Sequence, residues 1–248
     1  MMRLRIEVTT GATELAWTKV LSPGRSLLYD LLTREVPDLG RLLHARGAGP
    51  YGMVPLGHGA PVFPRAARVR GRYAVGGRGH VELGSPLFEA VTAMAQGIKR
   101  RELLDWGGAA FRILNATLVE PPAFTSGRAL FRTLTPVVVK GAGKDEQGER
   151  VTRQAWLLPA DREFPTCFQR NLRRKAETLG LDPEVSLTRI TWVGARRSFS
   201  VGSTGQVRGG KSGAPVEVEL TGPPETLQAI WSWGLGEANT AGFGWIAG

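Results

Sequence analysis

Two successive prolines, Pro121-Pro122, divide the sequence into halves whose apolar spacing runs through the same order of elements. Proline has no amide proton and holds its predecessor in extended backbone, so the pair closes the element before it. In the first half "RLRIEV" at 3–8 alternates as a strand. A helix follows, with Ser22 as N-cap, Pro23 at its first position and Leu27, Leu28, Leu31 and Leu32 along one side. Extended segments are expected around 52–56, 67–75 and 79–83, the last two as a hairpin about Gly76-Gly77. Ser85-Pro86 opens a second helix with Leu87, Val91, Met94, Ala95 and Ile98 at helical spacing, and "FRILNATLVE" at 111–120 closes the sheet.

The second half repeats this. "ALFRTLTPVVVK" at 129–140 reads as a strand, followed by a polar loop, "GAGKDEQGER", and by "RQAWLL" at 153–158. Phe164, Phe168, Leu172, Ala176 and Leu179 form the stripe of a helix over 163–180 that Gly180 stops. Strands are expected at 186–193, 196–201 and 215–220, then a helix from Pro223 with Leu227, Ile230 and Trp231 inward, and "GFGWIA" as a last strand. Each half thus approximates β-α-β-β-α-β. The fold class is α+β: two tandem ferredoxin-like (RRM-like) domains, 1–120 and 121–248, with a C-terminal glycine-rich loop.

Charge points to the partner. Lys and Arg number 32 against 22 Asp and Glu, a net +10, and such an excess suits a polyanion, most simply nucleic acid. An arginine-rich, solvated surface accounts for part of it. The single cysteine, Cys167, excludes a disulfide framework and a cysteine zinc site, and His44, His58 and His80 share no ligand spacing. No metal or cofactor is expected. "MMRLRIEVTT" lacks the apolar core of a signal peptide, and no stretch nears the roughly 18 apolar residues of a membrane span. A cytoplasmic protein without membrane contact is the expectation.

In "FQRNLRRKAE" the helical period puts Arg170, Arg173 and Arg174 in one arc opposite Phe168, with Lys175 at the apolar edge. Arg189, Arg196, Arg197, Arg208 and Lys211 lie in the same half, and "GSTGQVRGGKSG" at 202–213 combines bare backbone amides with two cations. Phosphates are well served by that mixture. A solvated basic face and a flexible hairpin loop are the plainer alternatives.

The chain closes on "GLGEANTAGFGWIAG", with Gly234, Gly236, Gly242 and Gly244 between Trp233 and Trp245. It lacks the P-loop string, and it leaves a helix for a strand, the reverse of a dinucleotide fingerprint. Glycines in that setting allow turns with positive φ or the close approach of another backbone, which in a basic protein of this kind includes RNA.

This stretch resembles the terminal glycine-rich motif of the repeat-associated RAMP superfamily, and is most similar to that of the CRISPR repeat-cleaving endoribonucleases. Other segments follow in order. "LLYDLLTREVPDLGRLLHARG" resembles the family's first helix leading to a loop histidine, and "FRTLTPVVVK" its first strand of the second domain. "FQRNLRRKAETLG" resembles its basic helix, and "VEVELTGPPETLQAIWSWGLG" the approach to the glycine loop. The resemblance implies metal-independent cleavage of CRISPR repeat RNA by the 2′-hydroxyl beside the scissile phosphate. The products carry a 5′-hydroxyl and a 2′,3′-cyclic phosphate or 3′-phosphate. It also implies the basic residues and glycines above as RNA contacts, and subunits of an interference complex as further partners.

Such chemistry needs a proton acceptor, a proton donor and positive charge around the phosphorane. By position the resemblance assigns proton transfer to His44, which by spacing alone is a surface-loop histidine. Tyr29, on the preceding helix, is placed to orient the nucleophile or donate to the leaving oxygen, or is simply a helix aromatic. Family members often supply a cation shortly after the histidine. Here that interval offers only Arg46, with Tyr51 and His58 as other polar candidates and Arg25 as a further one. His58, between glycines, is expected to fill a turn, and His80 to pack or cap locally. A non-catalytic RAMP subunit that holds guide RNA is the competing function. A small-molecule enzyme on the same fold is the weaker third.

Overall fold

The computed structural model describes residues 1–141, 156–200 and 210–248. The polar loop beyond Gly141, the start of the 153–158 segment and 201–209, with Arg208, lie outside them. The first half comprises β1 (Met2–Thr10), β2 (Glu14–Leu15), α1 (Ser22–Glu35), α2 (Pro37–Ala45), β3 (Gly57–His58), β4 (Tyr73–Ala74), β5 (Gly77–Ser85), α3 (Phe88–Lys99), β6 (Leu103–Trp106) and β7 (Ala109–Val119). An antiparallel sheet in the order β3-β5-β1-β7-β6 puts β1 at its centre. The strand period turns Leu4, Ile6 and Val8 to one face, where they share a core with Leu28 and Leu31 of α1 and Val91 and Met94 of α3. Each such side chain contributes about 1.5–3 kcal/mol by leaving water.

The second half comprises β8 (Arg128–Arg132), β9 (Val139–Lys140), β10 (Trp156–Leu157), α4 (Phe164–Thr178), β11 (Ser186–Val193), β12 (Arg197–Ser200), β13 (Gly210–Gly213), β14 (Val216–Thr221) and α5 (Pro224–Trp233). Its sheet runs β11-β14-β8, with two-stranded pairs β9-β10 and β12-β13 beside it. Phe164, Phe168 and Leu172 of α4 and Leu227 and Ile230 of α5 fill its core with Phe131 and Val218. The two halves are tandem ferredoxin-like domains. Among the described residues, no helix is long and apolar enough to cross a membrane.

Four local expectations need correction. Ser22 is the first helical residue rather than the cap, and its hydroxyl donates to the Thr18 carbonyl at 3.0 Å. The 67–75 segment forms no hairpin with 79–83: Tyr73–Ala74 pairs with Glu14–Leu15, while β5 pairs with β1, because Gly76 and Gly77 turn the chain at positive φ. The strand expected over 129–140 is split, since Pro136 has no N–H for a ladder and its carbonyl accepts from Gly244 N at 2.8 Å. "GFGWIA" keeps a single bridge, Thr133 to Ile246, because Gly242 and Gly244 sit at φ 84° and 65°.

The second face of the first sheet receives the second half. Arg3 is fully buried there, its guanidinium between the rings of Trp231 (3.9 Å) and Trp245 (4.1 Å). Its Nη1 donates to the Ile246 carbonyl at 2.7 Å and its Nε to the Trp231 carbonyl at 3.2 Å. Glu82 on β5 faces Arg3 at 3.6 Å and accepts from Trp245 Nε1 at 3.0 Å. A charge taken out of water is costly, and the carbonyls, the carboxylate and two indole faces offset that cost. Close contact also depends on Gly84, where a Cβ would overlap the Ser232 carbonyl.

Candidate functional site

The helix expected to run into a loop histidine is two helices. Val36 leaves helical geometry (φ −138°, ψ 72°) and Pro37 restarts the chain as α2, so His44 stands in the last turn of a helix, not in a loop. The break folds α2 back against α1. As a result the His44 ring meets the Tyr29 ring edge to face, 4.9 Å between centroids at 81°. His44 is exposed and Tyr29 half-buried. Burial pushes the Tyr29 phenol pKa above its ordinary value of 10.0, with the Arg25 charge opposing, so the hydroxyl keeps its proton at neutral pH. Arg25, one turn earlier on α1, lies 5.8 Å over the Tyr29 ring. Arg46 is exposed just past the end of α2, and the cation against this pair is Arg25.

The chain beyond His44 runs to the basic helix. A Cβ on Gly49 would press on Thr178 at the end of α4, and Tyr51 lies under the Arg174 guanidinium at 5.0 Å. Arg170, Arg173 and Arg174 are all exposed and line a groove of about 690 Å³ with Tyr51 and Glu177. A second cavity of about 570 Å³ shares Tyr51, Arg170 and Arg174 and continues past Asn171 to Lys140 and Asn239. Loop and helix thus bound one cleft with a basic wall.

Lys175 is elsewhere. It is buried, its Nζ donating to the Gly234 carbonyl at 2.8 Å and to Asn239 Oδ1 at 2.6 Å, above the Trp233 ring. Burial holds its ammonium pKa well below the usual lysine value, with Glu237 pulling it back up. Its place at the apolar edge of α4 carries it inward, so it does not face the cleft's solvent as an RNA contact would.

The four terminal glycines are buried as well. Gly234, Gly236, Gly242 and Gly244 all have positive φ, and the turn they make is sewn shut by Leu235 N to Gly244 O at 2.8 Å and Glu237 N to Val138 O at 2.9 Å. Asn239 Nδ2 donates to the Leu235 and Phe243 carbonyls, 2.9 Å each. A Cβ would meet Val138 O at Gly236, Leu235 O at Gly244 and the His58 ring at Gly242. The close approach is therefore to the chain's own atoms. His58 is not in a turn but in β3, wedged between this motif and Gly24 of α1, and burial lowers its pKa to about 4 against the pull of the Gly59 and Thr240 carbonyls.

The remaining cations lie on or next to strands of the second half. Arg196 is exposed and reaches Ser212 Oγ at 3.3 Å, and Arg197 lies 5.5 Å over the Trp17 ring. Lys211 Nζ lies 4.6 Å from the Trp156 ring, which Lys140 Nζ also faces at 5.8 Å. Arg189 is paired with Glu219 at 2.6 Å. Lys140 and Trp156 carry no spacing signal, because a strand pairing joins residues far apart in sequence.

Two tandem ferredoxin-like domains, with a buried glycine-rich turn and a basic cleft, define an α+β protein of this double-domain architecture. Residues 119–247, just over half of the chain, match the family described as CRISPR associated protein Cas6, C-terminal. The chain belongs to that family. Among solved structures it is similar to one described as an RAMP protein binding different RNA substrates (TM-score 0.78, 16% identity, covering 99% of this chain and 98% of that one). It is also similar to the product of a Cas6-related gene from Pyrococcus furiosus (0.75, 17%, 99% and 97%) and to a Cas6 product complex (0.63, 16%, 99% and 98%). At these identities the likeness is one of fold. No curated protein matches significantly.

Proposed function

We propose that this protein is a metal-independent endoribonuclease that binds CRISPR repeat RNA in a precursor transcript and cuts it through the adjacent 2′-hydroxyl. The observation that carries the proposal is the Tyr29–His44 pair, two proton-transfer groups in ring contact on an open surface beside a cation. His44 takes the 2′-hydroxyl proton or returns one to the departing 5′-oxygen, and Tyr29, protonated at neutral pH, donates to an oxygen of the phosphate or of the leaving group. A guanidinium supplies positive charge as the phosphorane forms; the resemblance offers Arg46 for that role, and Arg25 is the one in contact with Tyr29. Arg170, Arg173 and Arg174 hold the RNA backbone along the cleft. Membership of the Cas6 family, the RNA substrates named with the similar RAMP structure and the product complex of the similar Cas6 structure support RNA as the partner.

The test is incubation with repeat RNA from the protein's own genome, with and without EDTA. Cutting in EDTA is expected, with a cyclic-phosphate or 3′-phosphate product, and none when the scissile nucleotide is 2′-deoxy. Tight binding without cutting under either condition would instead identify a guide-holding RAMP subunit.

A further inference from the structure

Arg25 of the first half, beside Tyr29, and Lys140 and Lys211 of the second form a chain of cations in which the charges of Arg25 and Lys140 both act on Lys211. Phe199 on β12 packs against Trp17 (6.4 Å) in the short helical turn just before α1, and Arg197 lies over the same indole. Lys211 is the residue directly opposite Phe199 in the β12-β13 ladder, so this docking carries it to the start of α1, where Arg25 stands. Phe199 is backed in turn by Phe243 of the glycine-rich turn (5.9 Å). Lys140, opposite Trp156 in the β9-β10 ladder, completes the group from below.

Like charges brought together repel, and a fold that keeps them adjacent leaves an unbalanced field that an anion can neutralise. Here burial lowers the Lys211 pKa, the charges of Lys140 and Arg25 lower it further, and among the described residues Glu237 opposes them. Glu237 is shared with Lys140 at 3.9 Å, so among the described residues one carboxylate stands against three cations. Trp156, half-buried under two ammoniums, adds an aromatic face of the kind on which an unpaired base stacks.

We propose that Arg25 and Lys211, one from each half, form a phosphate clamp that supplies the positive charge of the cutting site in place of a cation following His44. Lys140 and Trp156 hold the neighbouring nucleotide. From the His44 ring to the Tyr29 ring is 4.9 Å, and from there to the Arg25 guanidinium 5.8 Å. RNA bound at His44 therefore passes Arg25 next and then Lys211. The cutting site is composite, completed only when the β12-β13 hairpin docks on the N-terminal half. This rests on the reading of Tyr29 and His44 as the cutting pair.

The experiment compares wild type with Lys211→Met, Arg25→Gln and the double variant on repeat RNA. It measures the single-turnover cutting rate at saturating protein, and the dissociation constant at several salt concentrations. Each single variant is expected to cut about tenfold to a hundredfold more slowly with its melting temperature kept. Each also flattens the salt dependence by about 0.7–0.9 per lost contact. Because both cations grip one phosphate, the double variant loses less than the product of the single losses, and Lys211→Arg recovers most of the rate. Wild type that cuts while Lys211→Met and Arg25→Gln cut equally fast overturns the clamp alone. Wild type that cuts no repeat RNA overturns the cutting-pair reading and the clamp with it.

Discussion

The Tyr29 ring meets the His44 ring edge to face at 4.9 Å, although the two residues sit on different helices separated by the break at Val36-Pro37. The contact joins a half-buried phenol to an exposed imidazole.

Removing either partner should slow cutting without releasing RNA. His44→Ala is expected to lower the single-turnover rate by about 10²–10⁴, the usual contribution of a positioned acid or base. Tyr29→Phe keeps the ring contact and deletes only the hydroxyl, so it should lose less, roughly tenfold. Dissociation constants within about twofold of wild type are expected for both. A Tyr29→Phe variant as fast as wild type would reduce Tyr29 to a packing residue.

The three exposed arginines of α4 should act through phosphates. Replacing Arg170, Arg173 and Arg174 together with Gln is expected to weaken RNA binding and lower the log–log salt slope by about 2–3, at 0.7–0.9 per contact. Equilibrium binding at four or five salt concentrations measures it. An unchanged slope would place the RNA elsewhere.

Lys175 should behave in the opposite way. Lys175→Ala leaves the Gly234 carbonyl and Asn239 Oδ1 buried without their donor, a loss of about 2–5 kcal/mol of stability. Denaturant melts will show that loss, while the salt slope of RNA binding stays that of wild type wherever the variant is folded.

Stability should fall as the solution is acidified. His58 has a folded pKa of about 4 against 6.5 for the ordinary side chain, so protonation favours the unfolded chain. Its contribution is complete above about pH 6.5 and is lost between there and about pH 4, on the order of 3 kcal/mol in all. His80, also lowered by burial, acts in the same direction. Melting temperatures across this range should drop steeply for wild type. In His58→Gln the drop should be shallower, although that variant starts from lower stability.

Local spacing made much of this molecule legible. The strand at Met2–Thr10, the helix at Phe164–Thr178 and the helix from Pro224 stand where apolar periodicity puts them, because each buries a stripe that a single period describes. The tandem ferredoxin-like order followed from the repetition. The failures share a cause. Tyr73–Ala74 chose Glu14–Leu15 over its neighbour in sequence, and "GFGWIA" gave up a strand for two left-handed glycines, through contacts with distant segments that no local window contains.

By itself, then, the sequence determined the α+β class, the net positive charge and the residue types of the site. Propensity, period and net charge are properties of neighbouring residues and of sums. Tertiary structure decided which cations are free. It buried Lys175 and the four glycines, put Arg174 over Tyr51 and left Arg25, not Arg46, against Tyr29. A basic side chain has the same formula buried or exposed, and only tertiary packing separates a structural lysine from one that can meet a phosphate.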